Sequence, residues 1–187
     1  MTVDGAILVG GQSRRFGSNK ADIQLNDQTL LERTLSVMKA SLDTQIFVVG
    51  GDENPDGRPN VGPLGGLETA FNLSTADALI VVACDMPGIS VELLQFLANH
   101  PSQSTVLLPR LNERSHPLCA RWCRSAAQSI THALDQGRHG VMELLSRLDV
   151  THLEETELAD HQINTHCALF NVNRPEDLVR YQSKFRP

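Results

Sequence analysis

The sequence predicts an α/β protein in which helices cover both faces of a mostly parallel sheet. Short apolar runs of strand length alternate along the chain with longer segments whose apolar residues recur at helical spacing. This alternation is typical of parallel strands joined by crossover helices, which form three layers. The 187 residues, of which 41% are hydrophobic, are enough for one well-packed core, so residues 1–187 are expected to form a single domain.

The first half of the chain begins with a buried strand at residues 6–9 and continues with a helix at 29–42. Thr29 and Glu32 have the spacing of a capping box at the start of that helix. Ser90 is expected to cap a later helix. The other elements predicted before residue 100 are strands at Ile46–Val49 and 78–84 and helices at 64–73 and Val91–Asn99.

The second half of the chain repeats the alternation less regularly. Pro175, followed by two acidic residues, fits the first turn of a last helix at 175–183. The other predicted elements are strands at 105–108, 117–122, Val150–Leu153 and 168–172 and helices at 124–135 and 141–148, with a polar stretch before the last strand.

The composition excludes several classes of protein. A formal net charge of −6 argues against a nonspecific nucleic-acid or anionic-membrane binder, because both need a basic surface. No apolar run approaches the length of a signal peptide's core or of a membrane span. The four cysteines have no zinc-site spacing and are expected to be reduced. We therefore expect a cytoplasmic protein, without nucleic-acid or membrane partners, that is a monomer or a weak oligomer.

A cationic, glycine-rich loop directly follows the first predicted strand. Backbone N–H groups and fixed positive charge at the end of a strand are what a polyphosphate needs. The loop is neither a Walker P-loop nor a GxGxxG fingerprint, and a tight turn with a solvated basic patch is the alternative explanation. Its candidate ligand-binding residues are Gly10, Gly11, Ser13, Arg14, Arg15 and Lys20.

Asp85 follows the most apolar predicted strand of the chain. A carboxylate at the carboxyl end of a parallel strand lies where α/β sheets bind ligands. Mg²⁺ is typically held in proteins by one or two carboxylates together with substrate phosphates. Asp85 is therefore a candidate magnesium ligand, although a turn before Pro87 would also explain an Asp at this position.

Two further segments carry residues suited to a ligand. The glycines of the Gly-Pro-Leu-Gly-Gly stretch at 62–66 let backbone approach a ligand closely, and turn chemistry alone is the alternative. Asn171 and Asn173 would lie on the same side of the strand predicted at 168–172, where their amides could hydrogen-bond a substrate or complete a metal shell. Asn173 could instead cap the last helix. His116 is a lone histidine and a weak candidate.

The motifs together resemble the molybdenum cofactor guanylyltransferases, a family with a Rossmann-like fold of the nucleotide-diphospho-sugar transferase type. The loop at 8–20 (Leu-Val-Gly-Gly-Gln-Ser-Arg-Arg-Phe-Gly-Ser-Asn-Lys) is similar to the family's signature loop. Gly-Pro-Leu-Gly-Gly, Cys-Asp-Met-Pro, His-Pro-Leu and Asn-Val-Asn-Arg-Pro-Glu-Asp-Leu follow in the family's order. The resemblance extends from about residue 5 to residue 182.

The resemblance implies an enzyme that transfers GMP from GTP to molybdenum-bearing molybdopterin, with Mg²⁺ as cofactor and pyrophosphate as product. It implies that Leu8, Val9 and Gly10 contact the guanine end of GTP. Gly11, Arg15 and Lys20 would contact the phosphates, with Ser13 and Arg14 in the same loop, and Asp85 would hold Mg²⁺. The pterin would face Gly65, Gly66, Asn171 and Asn173. Proteins of molybdenum cofactor biosynthesis, or acceptor proteins, would be its macromolecular partners.

The chain departs from the family pattern at several positions near the nucleotide. Val9, Phe16 and Asn19 stand where the family usually has Ala, Met and Asp. Gly50 occupies the position of an Asn near the guanine, and Asp56 is the best candidate for the acidic residue that would accept the N1–H and the exocyclic amine of guanine. A related transferase that uses CTP or another phosphorylated acceptor, and a nucleotide-binding regulator without catalysis, are the alternatives.

Overall fold

The computed structural model describes residues 1–10 and 20–185, with Lys20 represented by its backbone only, and confirms the α/β fold class. The strands are β1 (Val3–Leu8), β2 (Gln24–Leu25), β3 (Gln28–Thr29), β4 (Ile46–Val49), β5 (Ala78–Ala83), β6 (Val106–Leu111), β7 (Arg114–Ser115), β8 (Cys119–Cys123) and β9 (Val150–Leu153). The helices are α1 (Leu30–Ser41), α2 (Pro63–Leu73), α3 (Val91–Asn99), α4 (Ala126–Asp135), α5 (Val141–Leu145), α6 (Glu155–Asp160), α7 (Thr165–Ala168) and α8 (Pro175–Phe185), with a short 3₁₀ helix at Lys20–Asp22.

Seven of the described strands form one sheet in the order β4-β1-β5-β8-β6-β7, with β9 paired to β6. Strands β4, β1 and β5 are parallel neighbours, whereas β8 runs antiparallel to both β5 and β6. Strand β9 is parallel to β6. The carboxyl ends of β4, β1 and β5 therefore meet at one edge of the sheet. Strands β2 and β3 form a separate antiparallel pair.

The sheet separates two apolar cores, because alternate residues of its strands face opposite sides. In β5, Leu79 and Val81 pack with α2, α4 and α5 on one face. Ile80 and Val82 pack with α1 and α3 on the other face. A third, smaller cluster forms where α8 contacts the β2–α1 region, with Leu30, Val172 and Tyr181 at its centre. Helices on both faces of the sheet confirm the three-layer arrangement.

The predicted elements match the structure outside the segment between β9 and α8, although the short strands β2, β3 and β7 were not predicted. The strand predicted at 168–172 is wrong: residues 165–168 form α7, and Val172 is buried in the third apolar cluster without a strand around it. The polar stretch contains α6, which the prediction left out. The capping box of Thr29 and Glu32 is confirmed, as is the Ser90 cap of α3.

Across the described residues, no helix combines the length and the apolar character that a membrane crossing needs.

Candidate functional site

The ends of the three parallel strands are tied together at one edge of the sheet. The backbone N–H of Val9 donates to the carbonyl of Val49 at 2.8 Å. The N–H of Cys84 donates to the carbonyl of Leu8 at 3.2 Å. These bonds bring the residues that follow β1, β4 and β5 to one place, where ligands of open parallel sheets bind.

Gly50 lies directly against the end of β1. Its φ is +93°, and a Cβ added there would overlap the carbonyl oxygen of Val9. A Cβ added to Gly10 would lie 4.0 Å from the Cα of Gly50. Gly50 thus lets the chains leaving β1 and β4 pass in close contact, whereas a Cβ at Gly10 would make only an ordinary contact. The family pattern has an Asn at this position, and in this chain the close approach to Val9 gives the glycine a steric reason.

The amino end of α2 lies over the same place. Gly62 precedes the helix with φ +71°, and Pro63 occupies its first turn. Gly66 faces Leu8, because a Cβ added to it would be 3.2 Å from the Cδ2 of that residue. Gly65 instead faces the loop before the helix, where its Cβ would meet the carbonyl oxygen of Arg58 at 3.0 Å. The structure thus brings Gly66 to the end of β1 and places Gly65 against the chain's own loop.

The Asp56 carboxylate lies between the glycines of these two segments. Its Oδ1 is 3.5 Å from the Cβ position of Gly66 and 3.7 Å from that of Gly50. This oxygen is buried and accepts no hydrogen bond from any residue that the structure describes. Burial raises the pKa of the Asp56 carboxyl above its ordinary value. A buried carboxylate oxygen without a donor is costly in a folded protein and is suited to a ligand that brings N–H groups.

Asp85 lies just beyond β5 and is connected to the C-terminal part of the chain. Its backbone carbonyl accepts the N–H of Val172 at 2.8 Å. Gly88, three residues further on, packs so closely on Cys167 that an added Cβ would overlap the carbonyl oxygen of that cysteine. The segment before α8 is therefore held against the Asp85 loop, although the strand predicted at 168–172 does not form.

Asn171 and Asn173 flank the Val172 link and so lie on the chain next to the backbone of Asp85. The side-chain amide of Asn171 donates to the carbonyl of Leu169 at 3.2 Å. The backbone N–H of Asn173 is bound by the Asp177 carboxylate at 3.0 Å, which fixes this asparagine at the start of α8. The structure thus places both asparagines next to the Asp85 loop, whereas the strand predicted to align their side chains is absent.

His116 lies just before β8, close to the end of β5. The carbonyl of Leu118 accepts the N–H of Ala83 at 2.8 Å, which joins this segment to the same edge of the sheet. His116 is only 8% exposed. Burial, together with the positive charge of Arg114, lowers its pKa to about 4. The imidazole is therefore neutral at neutral pH and can bind a substrate only as an uncharged donor or acceptor.

The cationic loop is outside the described residues. Gly11, Ser13, Arg14 and Arg15 all lie in 11–19, and only the backbone of Lys20 is described, at the start of the 3₁₀ helix. Among the described residues no group of three His, Cys, Asp or Glu side chains forms a metal cluster. The four cysteines all lie within the described residues and form no disulfide there, and burial raises the pKa of Cys119 to about 12.

Comparison with known proteins gives consistent matches over most of the chain. Residues 5–153 match the family model of the MobA-like NTP transferase domain. A relative from Pelotomaculum thermopropionicum, named "Probable molybdenum cofactor guanylyltransferase", is 31% identical over 94% of this chain and 90% of its own length. A protein of the same name from Halalkalibacterium halodurans is 30% identical over 95% of this chain and 96% of its own length.

Two solved structures share the fold. Molybdopterin-guanine dinucleotide biosynthesis protein A from Archaeoglobus fulgidus matches with a TM-score of 0.77 at 24% identity, over 96% of this chain and 97% of the other. The 2-C-methyl-D-erythritol 4-phosphate cytidylyltransferase from Thermus thermophilus matches with a TM-score of 0.70 at 18% identity, over 98% of both chains.

Proposed function

Because this chain belongs to the MobA-like NTP transferase family, we propose that it is a molybdenum cofactor guanylyltransferase. In this proposal it transfers GMP from GTP to the terminal phosphate of molybdenum-molybdopterin and releases pyrophosphate. The names of relatives at 30–31% identity over nearly the whole chain support the reaction class. The position of Asp56 is the observation in this chain that supports guanine as the base.

The Asp56 carboxylate has the chemistry that the guanine edge requires. Guanine presents two adjacent N–H donors, N1–H and the exocyclic amine, whereas cytosine and adenine each place an acceptor next to their amino group. The buried Oδ1 of Asp56 accepts no bond within the described structure and adjoins Gly66, which faces Leu8. A base seated against Leu8, Val9 and Gly10 would bring donors to this carboxylate, and an ionised acceptor strengthens such bonds.

The triphosphate is assigned to the loop after β1. Gly11, Arg15 and Lys20 would bind the phosphates, with Ser13 and Arg14 beside them, as the resemblance in sequence implies. An oxygen of the acceptor phosphate would attack the α-phosphorus of GTP, and the bond from that phosphorus to the bridging oxygen of pyrophosphate would break. Each positive charge near these anions lowers their repulsion, by roughly 4 kcal/mol for a unit pair at about 4 Å and an effective dielectric of 20.

Asp85 is the proposed magnesium ligand. Its donor set fits this ion, because Mg²⁺ is often held by a single protein carboxylate while phosphates and water complete its shell. When bound, the ion supplies positive charge that stabilises the pentavalent transition state and the leaving pyrophosphate. We assign no general base, since the attacking phosphate is already ionised near neutral pH. Arg15 and Lys20 would then act by orienting and neutralising the reacting groups.

The acceptor is assigned to the C-terminal side of the site. Asn171 and Asn173 adjoin the Val172 link to Asp85, so a pterin phosphate bound there would lie next to the proposed metal ligand. The resemblance assigns Gly65 and Gly66 to the pterin face as well, but Gly66 adjoins Leu8 and Asp56 on the side proposed for the base, and Gly65 packs against the loop before α2. Proteins of molybdenum cofactor biosynthesis are the proposed macromolecular partners.

A nucleotide titration with and without Mg²⁺ tests this function. GTP should bind more tightly than CTP and ATP, and GTP with molybdopterin should release pyrophosphate only when Mg²⁺ is present. Preferential binding of CTP would identify a cytidylyl-transferring relative instead. Binding of GTP without any pyrophosphate release in the presence of molybdopterin would indicate a regulator.

A further inference from the structure

Arg58 is held between two carboxylates that belong to different helices. Its Nε donates to Oε2 of Glu68 in α2 at 2.8 Å, and a terminal nitrogen lies 2.7 Å from Oδ1 of Asp135 at the end of α4. The Glu68 side chain is 11% exposed and that of Asp135 is 57% exposed. One guanidinium thus joins a buried and an exposed acid, and these two ion pairs differ strongly in their screening by water.

Glu68 is the inner and more constrained of the two acids. While Oε2 accepts from Arg58, Oε1 accepts the hydroxyl of Thr131 in α4 at 2.8 Å. Both oxygens of this buried carboxylate are therefore engaged, with one bond to the loop before α2 and one to a neighbouring helix. A buried acid with this set of partners fixes their positions, because moving either partner leaves a charge without compensation.

A second link between the loop and α2, from Gly57 to Thr69, lies next to the Arg58–Glu68 ion pair. The N–H of Gly57 donates to Oγ1 of Thr69 at 3.0 Å, and the same hydroxyl donates to the carbonyl of Gly65 at 3.0 Å. Two consecutive loop residues, Gly57 and Arg58, are thus bound to two consecutive residues of α2. The other side of the loop is anchored to β4, since Asn54 donates to Val48 at 3.0 Å and accepts from Gly50 at 2.8 Å.

Asp56 lies between these anchors, immediately before Gly57 and Arg58, which are bound to Thr69 and Glu68 of α2. Its carboxylate lies against the glycines of the site, while the next two residues, Gly57 and Arg58, are held on α2. We propose that Glu68 is a positioning residue for nucleotide selection: through Arg58 it fixes the Asp56 loop on α2 and so sets where the base-reading carboxylate lies. This inference rests on the proposed function, in which Asp56 binds the guanine edge.

The preference for GTP over ITP measures the proposed contact between the Asp56 carboxylate and the base, because the hypoxanthine base of ITP lacks the exocyclic amine of guanine. Glu68→Met removes both acceptors while keeping a long side chain. We expect it to lower the ratio of kcat/KM for GTP to kcat/KM for ITP by about tenfold, the effect of one misplaced hydrogen bond to a charged group. The loss should appear in the KM for GTP, with kcat nearly unchanged, because the phosphates bind elsewhere.

Two matched variants separate positioning from general stability. Glu68→Gln keeps an oxygen for Arg58 and an amide for Thr131, so it should retain most of the preference. Asp135→Asn removes the exposed ion pair of the same guanidinium and should leave the ratio unchanged. If Glu68→Met weakens GTP and ITP equally, with only a lower Tm, Glu68 is merely structural and the inference is wrong. If Glu68→Met does not fold, Arg58→Gln takes its place, because it breaks the Arg58–Glu68 ion pair at the more exposed of the two residues.

Asp56→Asn distinguishes failure of this inference from failure of the function on which it rests. If Asp56→Asn abolishes the GTP preference and Glu68→Met does not change it, the positioning role is overturned and the proposed function stands. If Asp56→Asn also leaves the ratio unchanged, Asp56 does not read the base and both proposals about it fail. If Glu68 acts through Asp56, adding Glu68→Met to Asp56→Asn should lower the GTP/ITP ratio little further. The effects of two substitutions that act through the same group are not additive.

Discussion

The N–H of Val172 donates to the backbone carbonyl of Asp85 at 2.8 Å, which joins the segment before α8 to the loop after β5. Val172 is fully buried, and its cluster includes Leu30 and Tyr181. The hydrogen bond uses the main chain of Asp85 and does not involve its carboxylate. A substitution that changes only this carboxylate therefore leaves the link to Val172 in place.

Asp85→Asn should abolish most of the Mg²⁺-dependent turnover while the protein stays folded. An amide keeps the shape of the side chain but removes the negative charge that a divalent ion requires, and we expect kcat to fall by about 10²-fold or more. Initial rates across a Mg²⁺ series measure the effect. Asp43→Asn, before β4 and thus at the opposite edge of the sheet, is the control and should behave as wild type. An Asp85→Asn protein with normal rates at ordinary Mg²⁺ would refute the metal assignment.

Gly50→Ala should destabilise the protein and weaken GTP binding together. The new methyl would overlap the carbonyl oxygen of Val9, and the φ of +93° is unfavourable for alanine. We expect a loss of at least about 2 kcal/mol in the free energy of unfolding, measured with urea, because this strain has no relief without backbone movement. The KM for GTP should rise, since the same movement displaces the end of β1.

Gly51→Ala is the matched control for that substitution. A Cβ at Gly51 would meet Cγ2 of Val9 at 3.4 Å, an ordinary contact, and this residue has no left-handed φ. Its stability and its KM for GTP should stay close to wild type. Equal effects of the two alanines would show that the loop, rather than the contact between Gly50 and Val9, determines the result.

Local sequence signals predicted the sheet and its helices well because they report directly on burial. The continuous apolar run of β5 predicts a strand covered on both faces, and its residues do pack into both cores. The failure at 168–172 has the opposite cause. Leu169 and Val172 are buried, but they belong to two different apolar clusters. Within the described part of the chain, a backbone bond from Val172 to Asp85 stands in place of the expected strand ladder.

The position of Asp56 could not be predicted from its surroundings in the sequence. Its loop is rich in Gly, Pro and Asp, a composition that indicates turns but does not specify where a side chain points. Its place depends on bonds to residues of α2 that lie ten or more positions later, such as the bond from Gly57 to Thr69. Long-range hydrogen bonds of this kind leave no periodic pattern in the local sequence. The steric reason for a glycine at position 50 is likewise visible only in the folded structure, where Gly50 lies against Val9.

His116 should make the protein sensitive to mild acid. Its pKa is lowered from 6.5 to about 4, so the unfolded chain takes up a proton at a pH at which the folded protein does not. The stabilising contribution is present above pH 6.5 and is lost as the pH falls through about 4. We expect wild type to lose about 2 kcal/mol more than His116→Gln between pH 7.5 and about 4.5, measured by urea unfolding. His139→Gln, at an exposed position, should follow wild type.

Asp56→Asn should stabilise the free protein while it weakens GTP binding. Burial raises the pKa of this carboxyl, so the folded protein holds the proton more tightly than the unfolded chain does. A group with a raised folded pKa contributes stability at low pH and loses it as the pH rises through that pKa. At pH 7 the ionised Asp56 therefore destabilises the fold, and the neutral amide should raise Tm.

The pH dependence and the ligand dependence of Tm together check this prediction. The gain from Asp56→Asn should shrink as the pH is lowered through the raised pKa, where wild type becomes neutral at this position too. Saturating GTP should raise the Tm of wild type more than that of the variant, because only the ionised carboxylate binds both N–H groups of guanine. A variant that is less stable than wild type at pH 7, or that gains as much from GTP, would show that Asp56 is a structural acid and not a ligand-binding one.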